Sequence, residues 1–119
     1  MNKLRLCSLL IIVTGCVTDY GYNVVLLNIG KVKLTDATVN YGTFMSGGGN
    51  LIPNTRSVYL LPSHPVPAKA TVVWRTPDGI LHEKEVEVKS RVPKKFEGDI
   101  YFKIDDQNNV TVEAIPTGR

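Results

Sequence analysis

Short runs of β-branched and aromatic residues, separated at close intervals by proline, glycine and asparagine, constrain this 119-residue chain more than any other feature. After Gly21 no window gives a convincing amphipathic helix, so the pattern favours strands. Residues 70–75 and 80–88 carry apolar side chains at alternate positions and flank a Thr-Pro-Asp-Gly sequence at 76–79. Proline presets one turn dihedral and glycine accepts a positive φ, so this stretch predicts a β-hairpin.

A second hairpin is predicted over residues 99–115, where apolar and polar residues alternate on both sides of a polar turn. Earlier apolar runs, at 22–29, 32–41 and 57–61, bring the total to six or seven strands. Strands at this spacing predict a single all-β domain over residues 22–116, folded as an antiparallel β-sandwich or a small barrel. The predicted core consists of Val72, Trp74, Val86, Ile100, Phe102 and Val112.

Three irregular segments supply candidate partner-binding residues. The run Ser-Gly-Gly-Gly-Asn at 46–50 is predicted to be a loop, because fixing three consecutive glycines in a strand costs much backbone entropy. Residues 61–68 are rich in proline, and residues 91–95 form a small basic cluster. Each of these segments is interpreted either as a solvated loop or as a contact with a partner. The candidates are Gly47, Gly48, Gly49, Asn50, His64, Lys94 and Lys95.

The first fifteen residues have the three-part layout of a secretory signal peptide. Lys3 and Arg5 form a basic start, an apolar run extends over residues 6–13, and Thr14 and Gly15 are small. The apolar run is far shorter than the roughly twenty residues that span a bilayer as a helix. A cleaved signal at 1–15 is therefore expected, and a first strand that ends in a buried cysteine is the alternative.

The sequence Val-Thr-Gly-Cys at 13–16 resembles the lipobox of bacterial lipoproteins. The resemblance implies transfer of diacylglycerol to the sulfur of Cys16, cleavage between Gly15 and Cys16, and addition of an N-acyl chain. Residues 16–21 would then be the lipidated cysteine and a short tether, which holds the protein on the periplasmic face of the envelope. Val17 directly follows the cysteine. Aspartate at that position would resemble an inner-membrane retention signal, so valine favours the outer membrane.

The charge of the mature chain gives no reason to expect a nucleic-acid partner. The whole chain has a formal charge of +3, and Lys3 and Arg5 contribute two of those charges, which leaves about +1 after cleavage. Only one cysteine would remain, and because it is acylated no intrachain disulfide can form. The covalent lipid is the one non-protein group that is expected, and no other cofactor is predicted.

Signals for catalysis or metal binding are weak. The chain contains two histidines, His64 and His82, whereas a metal site usually needs three or four ligands. His82 and Glu83 would point to opposite faces of a strand, so an exposed strand histidine is the prediction. His64 follows a serine without the G-x-S-x-G motif of a nucleophile elbow. We therefore expect no enzymatic activity, and a small hydrolase that uses His82 or an aspartate is an alternative.

A series of landmarks from residue 21 to residue 104 resembles an uncharacterised family of short Gram-negative lipoproteins, encountered near type VI secretion phospholipase effectors. The landmarks are Gly-Tyr-Asn at 21–23, Gly-Gly-Gly-Asn at 47–50, Leu-Pro at 61–62, Val-Trp at 73–74, Asp-Gly at 78–79, His-Glu at 82–83 and Gly-Asp-Ile-Tyr-Phe at 98–102. Some members carry cysteines just before the Leu-Pro pair, whereas this chain has none at 57–60.

The resemblance implies an immunity lipoprotein, which binds a toxic secreted effector such as a phospholipase and blocks its active site or its access to the membrane. An alternative is a structural lipoprotein of an envelope or secretion complex, which would bind a periplasmic domain of an inner-membrane partner.

Overall fold

A computed structural model describes residues 21–42, 44–60 and 65–117. These residues form eight strands and one turn of 3-10 helix at Lys89–Arg91. The strands are β1 Tyr22–Asn28, β2 Leu34–Tyr41, β3 Phe44–Leu51, β4 Arg56–Leu60, β5 Lys69–Arg75, β6 Leu81–Glu87, β7 Gly98–Ile104 and β8 Val110–Pro116. The predicted signal peptide, the lipidation site at Cys16 and the candidate His64 lie outside the described residues.

The strands form two four-stranded sheets, with the orders β4-β1-β7-β8 and β3-β2-β5-β6. The prediction of an all-β sandwich is therefore confirmed, and both predicted hairpins are present as β5–β6 and β7–β8. All neighbouring strands run antiparallel except β1 and β7, which are parallel from the Tyr22–Gly98 pair to the Asn28–Ile104 pair. The chain changes sheet after β1, β3, β4 and β6, so strands that are distant in sequence become neighbours.

The eighth strand comes from the glycine run, which was wrongly predicted to be a loop. β3 pairs with β2 through a ladder interrupted by irregularities on either side of Ala37. Gly47 has a φ of 111°, and a Cβ atom there would lie 2.3 Å from the carbonyl oxygen of Ala37. Glycine thus permits a bulge and a close approach of two backbones, and the pairing with β2 offsets the entropy that argued against a strand.

The core lies between the inner faces of the two sheets. Trp74, Phe102 and Ile100 are fully buried, and Tyr41 contacts Phe102 edge-on with ring centroids 6.1 Å apart. Five of the six predicted core residues are buried, whereas Val86 is half-buried because it lies on the edge strand β6. The core therefore follows the alternation that the sequence shows along β5, β7 and β8.

The sandwich has two distinct ends. The proximal end, where the chain enters the domain at Gly21, also contains the loops 65–68 and 88–97. The Gly98 amide donates to the Gly21 carbonyl there (3.1 Å), and the Val88 amide donates to the Ala68 carbonyl (2.9 Å). The distal end contains the loops 29–33, 52–55, 76–80 and 105–109.

Candidate functional site

The distal loops are fixed by a buried amide side chain. Asn28, at the end of β1, is 1% exposed. Its Nδ2 donates to the carbonyl oxygens of Val32 (2.8 Å) and Leu51 (2.9 Å), and its Oδ1 accepts from the amide of Gly30 (2.9 Å). A buried amide with three hydrogen bonds holds its neighbours in one arrangement, so loop 29–33 is fastened to the end of β3.

Two further contacts connect loops 105–109 and 52–55 to the same region. The backbone amide of Lys31 donates to Oδ1 of Asp106 (2.8 Å), which joins loop 29–33 to the β7–β8 turn. In that turn, Oδ1 of Asp105 accepts from the amides of Gln107 and Asn109, both at 2.9 Å. The Asn54 amide donates to the Asn28 carbonyl (2.9 Å), which holds loop 52–55 beside β1. Hydrogen bonds therefore hold loops 29–33, 52–55 and 105–109 in one arrangement.

The β5–β6 turn carries a small polar network. The Thr76 hydroxyl donates to Oδ1 of Asp78, and its Oγ1 lies 3.1 Å from Nε2 of His82. This hydroxyl, together with the Ile80 amide, holds the pKa of Asp78 below its ordinary value. His82 is half-buried and stacks on Trp74 with ring centroids 5.4 Å apart, so the prediction of an exposed histidine is wrong. The stacking arises because Trp74 and His82 are cross-strand partners on the core-facing side.

A groove of about 310 Å³ separates loop 29–33, the β5–β6 turn and the β7–β8 turn. Asp78, Asp105 and Asp106 line it, together with the uncharged Asn28 and Asn108. Within the described residues, no group of three or more His, Cys, Asp or Glu side chains is arranged to hold a metal ion. Asp78 and Asp105 accept hydrogen bonds from backbone amides of their own turns, and Asp106 accepts from the Lys31 amide of loop 29–33.

The most informative feature of the distal end is its exposed apolar surface. Five of the eight large apolar side chains that are exposed among the described residues lie in or directly beside the distal loops. Their exposed fractions range from 42% to 54%. They are Ile29, Val32, Ile52, Ile80 and Leu81. Because exposed apolar side chains gain free energy when a partner buries them, and most of the described ones lie at this end, the distal end is the best candidate for a binding surface.

Of the residues predicted as partner contacts, those that the structure describes do not come together at this surface. Gly47, Gly48, Gly49 and Asn50 lie on the edge strand β3. Lys94 and Lys95 lie in a turn at the proximal end. Their roles in binding stay predictions, as does that of His64.

Sequence reasoning missed the apolar residues of the distal loops. Four of the five stand beside glycine, proline or asparagine or beside another member of the set, whereas Val32 lies between two lysines. Apolar residues next to turn residues were the available signal, but only the topology brings the four loops to one end.

Comparison with known proteins supports the fold alone. A scan against protein-family models found no match, and a search of curated proteins also found none. The chain is similar to the NMR structure of a protein from Eubacterium rectale, with a TM-score of 0.53 and 13% sequence identity over 87% of this chain and 95% of that one. Among the described residues, no helix is both long and apolar enough to cross a membrane.

Proposed function

We propose that this chain is a lipid-anchored binding protein on the periplasmic face of the envelope, an immunity protein that inhibits a type VI secreted antibacterial lipase by direct contact. The group of five exposed apolar side chains at the distal end carries the proposal. Such side chains favour a protein partner, because their burial contributes much of the free energy of association. The sequence resemblance to immunity lipoproteins supplies the class of partner.

The path of the chain supports this role. In the proposal Cys16 carries the lipid, and the chain enters the domain at Gly21, at the proximal end. The distal loops therefore face away from the membrane that holds the anchor. A partner that approaches from the periplasm meets the apolar surface first, and the anchor concentrates the inhibitor where a lipase would act.

Hydrogen bonds between distal loops favour inhibition by steric cover. Asn28 and Asp106 link loop 29–33 to the end of β3 and to the β7–β8 turn before any partner arrives, so less conformational entropy is lost when these loops bind. The apolar side chains, with Asp78 and the other groove carboxylates beside them, give a surface with an apolar part and a polar border. Such a surface placed over a lipase would exclude either its substrate or the membrane.

The proposal predicts that an effector is encoded beside this gene, and inhibition assays with that effector test it. Mature protein should suppress phospholipase activity with a one-to-one stoichiometry. The double variant Ile52→Asp/Ile80→Asp should bind about 100-fold more weakly, because two apolar anchors are replaced by charges that resist desolvation. Ile115→Asp, at an exposed residue on β8, is the matched control and should bind within about threefold of the parent.

The proposal fails if the mature protein leaves the activity and the toxicity of every neighbouring effector unchanged. Binding to a periplasmic domain of an inner-membrane protein, together with loss of secretion when the gene is deleted, would instead assign the structural role in an envelope complex.

A further inference from the structure

The loops of the two ends differ in charge. The proximal loop 88–97 carries four basic residues and one acidic residue, Glu97, whereas the distal loops together carry two basic and three acidic residues. The four proximal cations are Lys89, Arg91, Lys94 and Lys95, and all four are exposed. The sandwich therefore presents a positive surface at the end where the chain enters the domain.

The proximal cations differ from other basic residues of the described chain in their ion pairing. Elsewhere Lys69, Arg75 and Lys103 form ion pairs with acidic side chains. None of the four proximal cations forms an ion pair with another described residue. Their charges are therefore available to an external anion.

An apolar groove lies between these cations. It has a volume of about 330 Å³ and is lined by Pro65, Val66, Lys89, Val92, Pro93 and Lys94. Lysine stems cover apolar surface while their ammonium groups stay at its border, so the groove offers an apolar floor with a cationic rim. This combination suits a phospholipid, which carries an anionic phosphate above an apolar body.

The length of the tether limits how far this surface can lie from the membrane. The five residue steps from Cys16 to Gly21 span at most about 18 Å when fully extended. Attraction between basic residues and an anionic membrane acts over about one Debye length, roughly 8 Å at physiological ionic strength. A lipid on Cys16 would therefore keep Gly21 within about 18 Å of the membrane, which allows the proximal cations to approach to within one Debye length of its surface.

We propose that the proximal end docks on anionic phospholipid headgroups of the membrane that holds the anchor. Lys89 and Lys94 contact phosphates at the rim of the groove, and Arg91 and Lys95 add to the attraction. The docked domain stands upright with its distal loops towards the periplasm. This inference rests on the lipid anchor of the proposed function, but it does not depend on the identity of the protein partner.

Amine labelling of the lipidated protein, reconstituted in vesicles and read by mass spectrometry, tests the docking. On vesicles of phosphatidylglycerol in phosphatidylcholine, Lys89, Lys94 and Lys95 should react about threefold more slowly than on pure phosphatidylcholine. The difference should vanish at about 0.5 M salt, where screening is short-ranged. Lys31 and Lys33, in a distal loop, are the internal controls and should react equally on both vesicles.

Matched charge reversals complete the test. Lys89→Glu/Lys94→Glu should abolish the protection of Lys95, whereas Lys31→Glu/Lys33→Glu should preserve it. Equal labelling on both vesicles would overturn the docking while the anchor stands. Failure of the purified protein to float with either vesicle would overturn the anchor as well. Protection in native membranes but not on pure lipid would point to an acidic protein and would also overturn the proposal.

Discussion

At the residue scale, the edge strand β3 depends on the absence of a side chain at Gly47. Gly47→Ala should lower the free energy of unfolding by about 2 kcal/mol or more, because alanine at a φ of 111° is strained and its Cβ would press on the Ala37 carbonyl. Gly49→Ala, where an added Cβ has open space, should change it by less than about 0.5 kcal/mol. Denaturant titration measures both values, and equal losses would contradict this account of the bulge.

At the same scale, Thr76 controls the ionisation of Asp78. The hydrogen bond from Thr76 holds the pKa of Asp78 below its ordinary value of 3.8. The stability that this hydrogen bond to ionised Asp78 contributes is therefore fully present above the ordinary pKa of 3.8. It is lost as the pH falls through the lower pKa that Asp78 has in the folded state. Thr76→Val should raise the pKa of Asp78, as measured by NMR titration of its carboxyl carbon. Thr111→Val, on the exposed face of β8, should leave it unchanged. An unaltered titration in Thr76→Val would show that the hydroxyl has no such role.

At the scale of the element, Lys84 protects the edge strand β6. The register pairs it with the buried Val72, so it lies on the core-facing side of the sheet although it is exposed. An inward-pointing charge on an edge strand opposes the addition of another strand, because pairing would bury the charge. Lys84→Val should therefore raise the weight-average mass in sedimentation velocity at high protein concentration. Lys33→Val is the control for loss of a charge, and equal association of the two variants would argue against edge protection.

The elements also show what the sequence could predict. β5 and β6 were predictable because proline and glycine at 77 and 79 fix a turn between two alternating runs. β3 was not, because a strand whose centre is glycine has no side-chain alternation, and its existence depends on pairing with β2. The parallel pairing of β1 with β7 joins segments more than seventy residues apart, and nothing local to either strand specifies it.

At the scale of the whole molecule, the two ends of the sandwich differ in their surface chemistry. Apolar side chains are exposed around the distal loops, and cations that form no ion pair with another described residue lie where the chain enters. The basic cluster at 91–95 was visible in the sequence, but its separation from the apolar loops depends on the order of strands in both sheets. For the same reason the candidate binding surface could not be predicted. Its apolar members come from three loops and the start of β6, which lie at one end only after folding.

Both proposals depend on a lipid at Cys16, because the anchor gives the two ends their different surroundings. Intact-mass spectrometry of the protein extracted from its native host tests this most directly. We expect it in the membrane fraction, with a mass equal to residues 16–119 plus a diacylglycerol group and one amide-linked acyl chain. An unmodified chain of all 119 residues in the cytosolic fraction would contradict the account.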